Sequence, residues 1–499
     1  MKTIYKTIAI ITTGILLLIT AGCEDFLNRY PDNALTEAQI LSDVENANTA
    51  LIAVYDLLSE GYMFGRNTLL RGSLKGGDFF HFTENPNVRF DIEYKYSEIS
   101  SRAGYAGYLW NYCYKTNASC NQILVRLPEM EGTAKQLDDL EAQALAAKAI
   151  AYLELVRSFC YPLWMAQEDD LYGMGVPLIK SSQDNSYAIE NPPGRDPLID
   201  CYDYIEELLL EAIEKIDITR TGKHLFTEQS LWAVLARYYL YTEEWELARD
   251  AALEAESLGG SMLSSDAFLA GMTTRFNSES IFEIYFDAND DLGTGCLAYY
   301  AFKTVNEEGV IDQNSIGYGD YGASNTFINL FSTEDIRNQL FKRDKTGSNR
   351  AYHKYMGIES PLIHDVAYIR LPEVLLIAAE AYAEVNDFGN ALTYLNKVYG
   401  ARTNVTLDLT GEELKNEIFT ERRRELALEG HELFDYLRKG RSFTRDGSHP
   451  APLSIDPVNG RDNEKFHRVV YPIPQPEMDA NPNIRDQQNP GYAAYQGSN

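Results

Sequence analysis

The sequence predicts a mainly α-helical protein, a tetratricopeptide-like scaffold carrying a loop-rich, irregular second subdomain. Three observations lead there. Amphipathic helical runs recur along the chain, two helix pairs share one internal spacing, and two long stretches lack helical periodicity.

The first strong run, residues 141–160, places Leu145, Ala149, Tyr152, Leu155 and Val156 on one face. Residues 201–216 form a second. Residues 229–241 and 245–257 make a helix pair across a short connection, and 372–385 with 388–401 make another, with Pro372 suited to a helix start. Residues 413–430 read as a further long, charged helix. Trp232, Leu235, Ala236, Tyr239, Ala248, Ala252 and Ala255 fit the tetratricopeptide spacing, and so do Leu375, Ala378, Ala379, Tyr382, Ala391, Leu395 and Val398. Small residues stand where paired helices approach, and large ones where a pair meets its neighbour. The 145–152 helix matches the first half of such a unit, and 201–216 could be its partner after a long insertion. Three or four units would stack as a short solenoid.

The remainder has a different character. Residues 61–108 and 259–361 are rich in Gly, Asn, Asp, Ser and Tyr, and their apolar runs are short, 281–286 being one. Long excursions on a rigid scaffold are common places for function.

The N-terminus carries an export signal. Lys2 and Lys6 precede an apolar run over 8–19, and Thr20-Ala21-Gly22 leads into Cys23. The run is too short for a membrane-spanning helix. Cysteine directly after Ala-Gly resembles a bacterial lipobox with Cys23 as the lipidated first residue, although Thr20 stands where leucine is usual. The alternative is an ordinary signal peptide with an incidental cysteine. No apolar run of membrane-spanning length follows it.

The whole chain has 499 residues and a formal charge of −30, and removing residues 1–22 makes it two units more negative. Such a charge argues against nucleic acid, which requires a basic face, and against docking on anionic headgroups, leaving the lipid as the only membrane anchor. Five other cysteines, Cys113, Cys120, Cys160, Cys201 and Cys296, are scattered and sit in apolar patterns, so buried free thiols are expected.

Tyrosine is the residue type that stands out in the irregular stretches. Tyrosine offers a flat face for the C–H side of a sugar ring and a hydroxyl that stays wet. The chain has 34 tyrosines, among them Tyr94, Tyr96, Tyr105 and Tyr108 in the first irregular region and Tyr299, Tyr300, Tyr318 and Tyr321 in the second. Asp78, Arg102, Asn111, Asp320 and Asn325 are polar companions. The Gly317–Gly322 run matches Gly-x-Gly-x-x-Gly but lacks the buried strand and helix that dinucleotide binding needs, and a flexible aromatic loop beside a ligand suits it better. The acidic turn 287–293 has Leu292 where a calcium loop needs glycine. The seven histidines form no zinc pattern, and no nucleophile elbow occurs. No cofactor, metal or catalytic residue is assigned. Arg422, Arg423 and Arg424 between Glu421 and Glu425 read as a structural ion-pair helix. Abundant carboxylates keep a helical glycoside hydrolase open, and the repeats keep a protein-binding adaptor open.

Several motifs occur in a specific order. They are Cys23-Glu24-Asp25-Phe26-Leu27, Trp110…Tyr114…Cys120-Asn121 (with cysteine in place of alanine), Asp335-Ile336-Arg337, and the run from Arg370 to Ala381. Glu421 to Glu425, Glu429-Gly430, Phe434-Asp435, Tyr471 to Pro474, Asn481-Pro482 and Gln488 to Tyr492 follow. Together they resemble the SusD/RagB family of outer-membrane lipoproteins of Bacteroidetes across the whole mature chain. The resemblance implies a non-enzymatic, cell-surface glycan-binding lipoprotein of the outer membrane. It would capture oligosaccharides and deliver them to a SusC-like TonB-dependent transporter. It implies a signal over 1–22, an N-terminal region over 23–258, and a C-terminal region over 259–499 with its excursion at 259–361. It also places the ligand surface in loops before the Trp110 helix and in the later excursion, here 72–108 and 289–321. The glycan-binding candidates are therefore Asp78, Arg102, Tyr105, Tyr108, Asn111, Tyr299, Tyr300, Tyr318 and Tyr321.

Overall fold

In a computed structural model, helices form over the runs of apolar periodicity, and four of the long ones start at a side-chain cap, Asp43, Thr133, Thr227 and Asp387. The structure describes residues 41–81, 89–102, 104–181, 191–270, 274–301, 303, 305–306, 310, 317–343, 350–355, 363–445, 449, 451–495 and 497. Cys23 and the signal lie outside the described residues.

Helices α1 (Val44–Ser59), α2 (Asn67–Gly76) and α3 (Ala106–Arg126) lead into α4 (Ala134–Phe159). The start of α4 is set by a capping box in which Thr133 and Gln136 satisfy each other's backbone amides. Its partner is α5 (Leu198–Lys215), reached after a long insertion, and the two pack along their apolar stripes. The pair α6 (Glu228–Thr242) and α7 (Trp245–Ser257) follows, and later come α8 (Leu371–Glu384) and α9 (Phe388–Thr403). Consecutive helices pack on one another from α4 to α7, and α7 packs on α8, so the pairs stack as a solenoid.

The repeat holds at the level of single hydrogen bonds. Both hairpins turn through a left-handed residue, Glu243 (φ 61°) and Asn386 (φ 64°), four positions after the matched tyrosines. In both, the next amide donates to that tyrosine's carbonyl, Glu244 to Tyr239 at 3.0 Å and Asp387 to Tyr382 at 2.8 Å. Ala236, Ala248, Ala252, Ala255, Ala379 and Ala391 are buried at the helix contacts, where a larger side chain would push the pair apart.

The expected long helix over 413–430 is α10 (Gly411–Glu425), which ends five residues early. Leu428 (φ 62°) and Gly430 (φ 83°) then turn the chain against α2. A Cβ at Gly430 would come within 2.6 Å of the Thr68 carbonyl, so the close approach requires glycine. Helix α11 (Glu432–Arg438) follows.

Strands occur as short antiparallel pairs. Those described are β1 (Phe79–His81), β2 (Ser280–Ile284), β3 (Tyr321–Ala323), β4 (Phe341–Arg343), β5 (Arg350–Tyr352), β6 (Val366–Arg370), β7 (Phe443–Arg445) and β8 (Leu453–Ile455). They pair as β1 with β3, β2 with β6, β4 with β5 and β7 with β8. Periodicity did not signal them, because six have three residues, too short to alternate visibly, and the five-residue β2 and β6 are buried along nearly their whole length.

A buried ion network anchors the irregular half to the helices. Arg337, Arg370 and Arg402 converge on Glu425 of α10 at 3.0–3.1 Å, and all four side chains are fully buried. Arg337 also holds Asp335 and Glu421, and Arg370 holds Glu279. The arginine triplet is structural, as its mixed charge suggested: Arg422 pairs with Asp435, Arg424 with Glu421, and Arg423 with Asp78. Cys113, Cys120, Cys160, Cys201 and Cys296 are free and buried. Among the described residues no helix is long and apolar enough to cross a membrane.

Candidate functional site

Two short pieces of backbone build an aromatic array. Tyr105 stands at the N-cap of α3, and Tyr108 and Tyr112 follow at i+3 and i+7, along one helix face. The turn between α1 and α2 presents Tyr62 to them. Its ring stacks on Tyr108 with centroids 4.2 Å apart and planes 12° apart, and lies 5.9 Å from Tyr105 and 6.0 Å from Tyr112. Phe90 packs against Tyr105 at 4.5 Å.

The second piece is the one-turn helix Leu297–Ala301 with the loop that returns at Tyr318. The Tyr318 amide donates to the Tyr299 carbonyl at 2.8 Å. The Tyr318 ring stands nearly perpendicular to Tyr299 at 4.6 Å and to Tyr300 at 5.5 Å.

Two arginines join the pieces. The Arg66 guanidinium lies 4.2 Å from the Tyr300 ring centre and 5.9 Å from that of Tyr62, and donates to the Gly295 carbonyl at 2.6 Å. The Arg89 guanidinium lies over Tyr318 at 3.4 Å and near Tyr300 at 5.2 Å, and pairs with Asp320 at 2.8 Å. Cation–π contacts of this kind attract in proportion to their dryness. The β1–β3 ladder, with His81 opposite Tyr321, fastens the same two segments from behind. The segments 72–108 and 289–321 therefore meet.

The Tyr105 and Tyr112 hydroxyls stay protonated at neutral pH. Burial pushes Tyr105 up to about 12, with Tyr300 adding to it. Burial raises Tyr112, and its hydrogen bond to Glu60 raises it further. Each hydroxyl can then both donate and accept, which matches a sugar hydroxyl. The array presents flat faces and wet hydroxyls, with its cations already engaged by rings, carbonyls and Asp320. Among the described residues no group of three or more His, Cys, Asp or Glu side chains could hold a metal ion.

The sequence-predicted residues divide in three. Tyr108 is 52% exposed, Asn111 beside it is exposed, and Tyr105, Tyr299 and Tyr318 are half-buried, so these five can face a ligand. Tyr300 and Tyr321 are buried: Tyr300 lies under two guanidiniums, and Tyr321 packs against His81 at 5.3 Å. They support the surface from within. Asp78 is a correction. Its carboxylate is buried against Arg423 and its amide donates to Glu432, so it has no face to offer. Arg102 is exposed in a turn where Ser100 accepts from Gln475, apart from the ring contacts just described. Tyr94 and Tyr96 are core residues, also contrary to expectation, because β7 covers them with Arg445.

Sequence reading missed Tyr62, Tyr112, Arg66 and Arg89. Tyr112 was findable from its i+4 spacing to Tyr108. Nothing local marks the other three, whose partners are distant in sequence.

Residues that carry the family resemblance do a different job. Trp110 donates to Glu477 at 3.1 Å, Tyr114 to the Pro177 carbonyl at 2.8 Å and Asn121 to the Ile179 carbonyl at 3.0 Å. Asn489 donates to the carbonyls of Phe159 and Tyr471 at 2.7 and 2.8 Å. The Trp110 and Asn489 bonds tie the C-terminal segment to the N-terminal helices, and the Tyr114 and Asn121 bonds hold the insertion after α4 against α3.

Two family profiles match the chain. One, described as SusD family, covers residues 363–492, and the other, described as starch-binding associating with outer membrane, covers residues 25–240. This chain belongs to the SusD family. It is 25% identical to SusD-like protein P2 of Formosa agariphila, over 97% of this chain and 99% of that one. A SusD superfamily protein of Bacteroides thetaiotaomicron superposes with a TM-score of 0.78 at 26% identity, covering 90% of this chain and 100% of the other. A structure named as a laminarin binding SusD-like protein shares the fold with a TM-score of 0.70 at 21% identity, covering 90% and 100%. The SusD fold is thus a tetratricopeptide-like helical stack with an irregular second half, as the repeat spacing indicated.

Proposed function

We propose that this SusD-family chain is a cell-surface lipoprotein that captures oligosaccharides on the array of Tyr62, Tyr105, Tyr108, Tyr112, Tyr299 and Tyr318. It hands them to a SusC-like TonB-dependent transporter and performs no chemistry on them. The observation that carries this is the open set of ring faces formed where two excursions meet. A buried aromatic cluster would serve packing alone, whereas here the Tyr108 ring is half exposed and its neighbours keep an edge in solvent.

Family membership supports the same reading. So does the outer-membrane description of the profile over residues 25–240, and a neighbour of the same fold is named for laminarin binding. Lipidation at Cys23 supplies the anchor. Acyl chains contribute about 0.8 kcal/mol per buried CH₂, so several hold the protein stably.

A glycan panel tests the reading. Binding by the wild type, loss of binding in Tyr108→Ala, and unchanged chain lengths after long incubation are expected. Release of shorter products would establish a hydrolase instead. Cys23→Ala should leave the membrane fraction and lose labelled palmitate. Extraction in mild detergent should co-purify a large β-barrel at fixed ratio, and a lone monodisperse protein under every mild condition would defeat the transporter partnership.

A further inference from the structure

Next to the array lies a second cleft that the glycan reading does not use. It is an open cleft with about 160 Å³ of free space inside. Its walls come from α1 (Ile52, Tyr55, Asp56), the loop at His224, and the end of β2 with Tyr285 and Asp290 beyond it.

One wall is aromatic and open. Tyr285 is 39% exposed and stacks on Phe276 with ring centres 6.1 Å apart and planes 17° apart. The His224 ring lies 5.8 Å from Phe276 and 6.1 Å from Tyr285. Arg275 sits 4.8 Å from the Tyr285 ring centre and donates to the Phe286 carbonyl at 2.8 Å, which fixes the tyrosine in place. The other wall is apolar at its lip, where Ile52 is 66% exposed, and acidic within. Asp56 and Asp290 have no salt bridge among the described residues. Burial and neighbouring carboxylates raise both: Asp56 is raised first by burial and then by Glu60, and Asp290 first by burial and then by Asp56. Burial lowers His224, with Arg220 adding to it, so the imidazole is neutral at pH 7 and presents one donor and one acceptor.

The cleft continues the array. Asp56 lies one helical turn before Glu60, which accepts from the Tyr112 hydroxyl. Asp290 belongs to the loop whose Gly295 carbonyl receives Arg66.

We propose that the Tyr285–His224–Asp56–Asp290 cleft is an additional subsite for the same oligosaccharide, taking an uncharged sugar ring beyond those held by the tyrosine array. The ring wall fits a C–H face, and the imidazole and carboxylates fit hydroxyls. The unpaired carboxylates repel uronate and sulfate groups, which sets the ligand class as neutral. The inference rests on the glycan reading above.

Calorimetry on the full mature chain tests it with ladders of two to eight sugars from neutral β-glucan, α-glucan, mannan and xylan, and a galacturonate ladder for contrast. Tyr108→Ala should weaken binding at every length. Tyr285→Ala and His224→Ala should leave the shortest bound member unaffected and weaken the long members about five- to tenfold, with Tyr285→Phe close to wild type because the ring remains. Tyr285 is exposed enough for its replacement to fold, and thermal melting checks that. If neutral ladders bind and Tyr108→Ala fails while Tyr285→Ala and His224→Ala match wild type at all lengths, the subsite is wrong and the glycan reading stands. Tightest binding to the galacturonate ladder also overturns it. If no glycan binds, both readings fall.

Discussion

Arginine does opposite things in two regions of this molecule. Around Glu425, Arg337, Arg370 and Arg402 are dry, and their fork-shaped donors meet carboxylate oxygens almost edge to edge. In the tyrosine array, Arg66 and Arg89 lie over ring faces, and Arg89 keeps part of its surface in water. The network uses up its polar groups and fixes the irregular half on the helices. The array uses arginine to hold rings in place while leaving other ring faces and hydroxyls open. Function stays available where the cation is engaged by π-faces and not by the groups a ligand needs.

The largest expected effect breaks the network. Glu425→Ala removes one carboxylate from three buried guanidiniums and should cost about 3–5 kcal/mol of stability, because uncompensated buried charge is expensive. Chemical denaturation measures it. A loss under about 1 kcal/mol would mean that water reaches these arginines.

Acid should attack the same region. Burial alone would raise Glu425, but Arg402, Arg370 and Arg337 outweigh it and hold the carboxyl well below its ordinary range. Glu429 is held low likewise, with Arg370 and Lys354 outweighing burial. A carboxylate with a depressed folded pKa contributes stability that is complete above its unfolded value and is lost as pH falls through the folded one. Denaturation midpoints should therefore drop steadily below the unfolded value of 4.5. Glu425→Gln should flatten that decline, and an unchanged slope would place the acid sensitivity elsewhere.

Changes in the array should move affinity and spare stability. Tyr108→Ala is expected to weaken glycan binding by about 1–2 kcal/mol, roughly five- to thirtyfold, with little change in melting temperature. Arg89→Lys keeps the charge and the Asp320 pair but loses the planar face over Tyr318, so affinity should fall by about 0.5–1 kcal/mol. A larger fall in melting temperature than in affinity would show that Arg89 belongs to the scaffold.

The smallest effect separates support from contact. The Tyr321 hydroxyl is buried without a hydrogen-bond partner among the described residues. Tyr321→Phe should leave glycan affinity unchanged and be neutral or stabilising by up to about 1 kcal/mol, since an unsatisfied polar group is removed. A loss of affinity would place Tyr321 in the ligand surface after all.

Helical order was determined by sequence alone, because it is local. The spacing that matched Trp232–Ala255 with Leu375–Val398 reappears as two hairpins that turn at Glu243 and Asn386 through the same hydrogen bond. The ion-pair character of the Arg422–Arg424 triplet was legible from its mixed charge, and the tyrosine-rich segments from composition. Which tyrosines face water was decided only by tertiary structure. Tyr94, Tyr96, Tyr300 and Tyr321 sit in segments as rich in tyrosine and polar residues as the one that ends at Tyr108, yet packing buries them. Asp78 read as a sugar ligand until Arg423, 345 positions away in sequence, was brought against it. Arg66 and Arg89 were invisible for the same reason. An arginine over a ring needs no spacing rule, and its partner is supplied by whichever segment the fold carries past it.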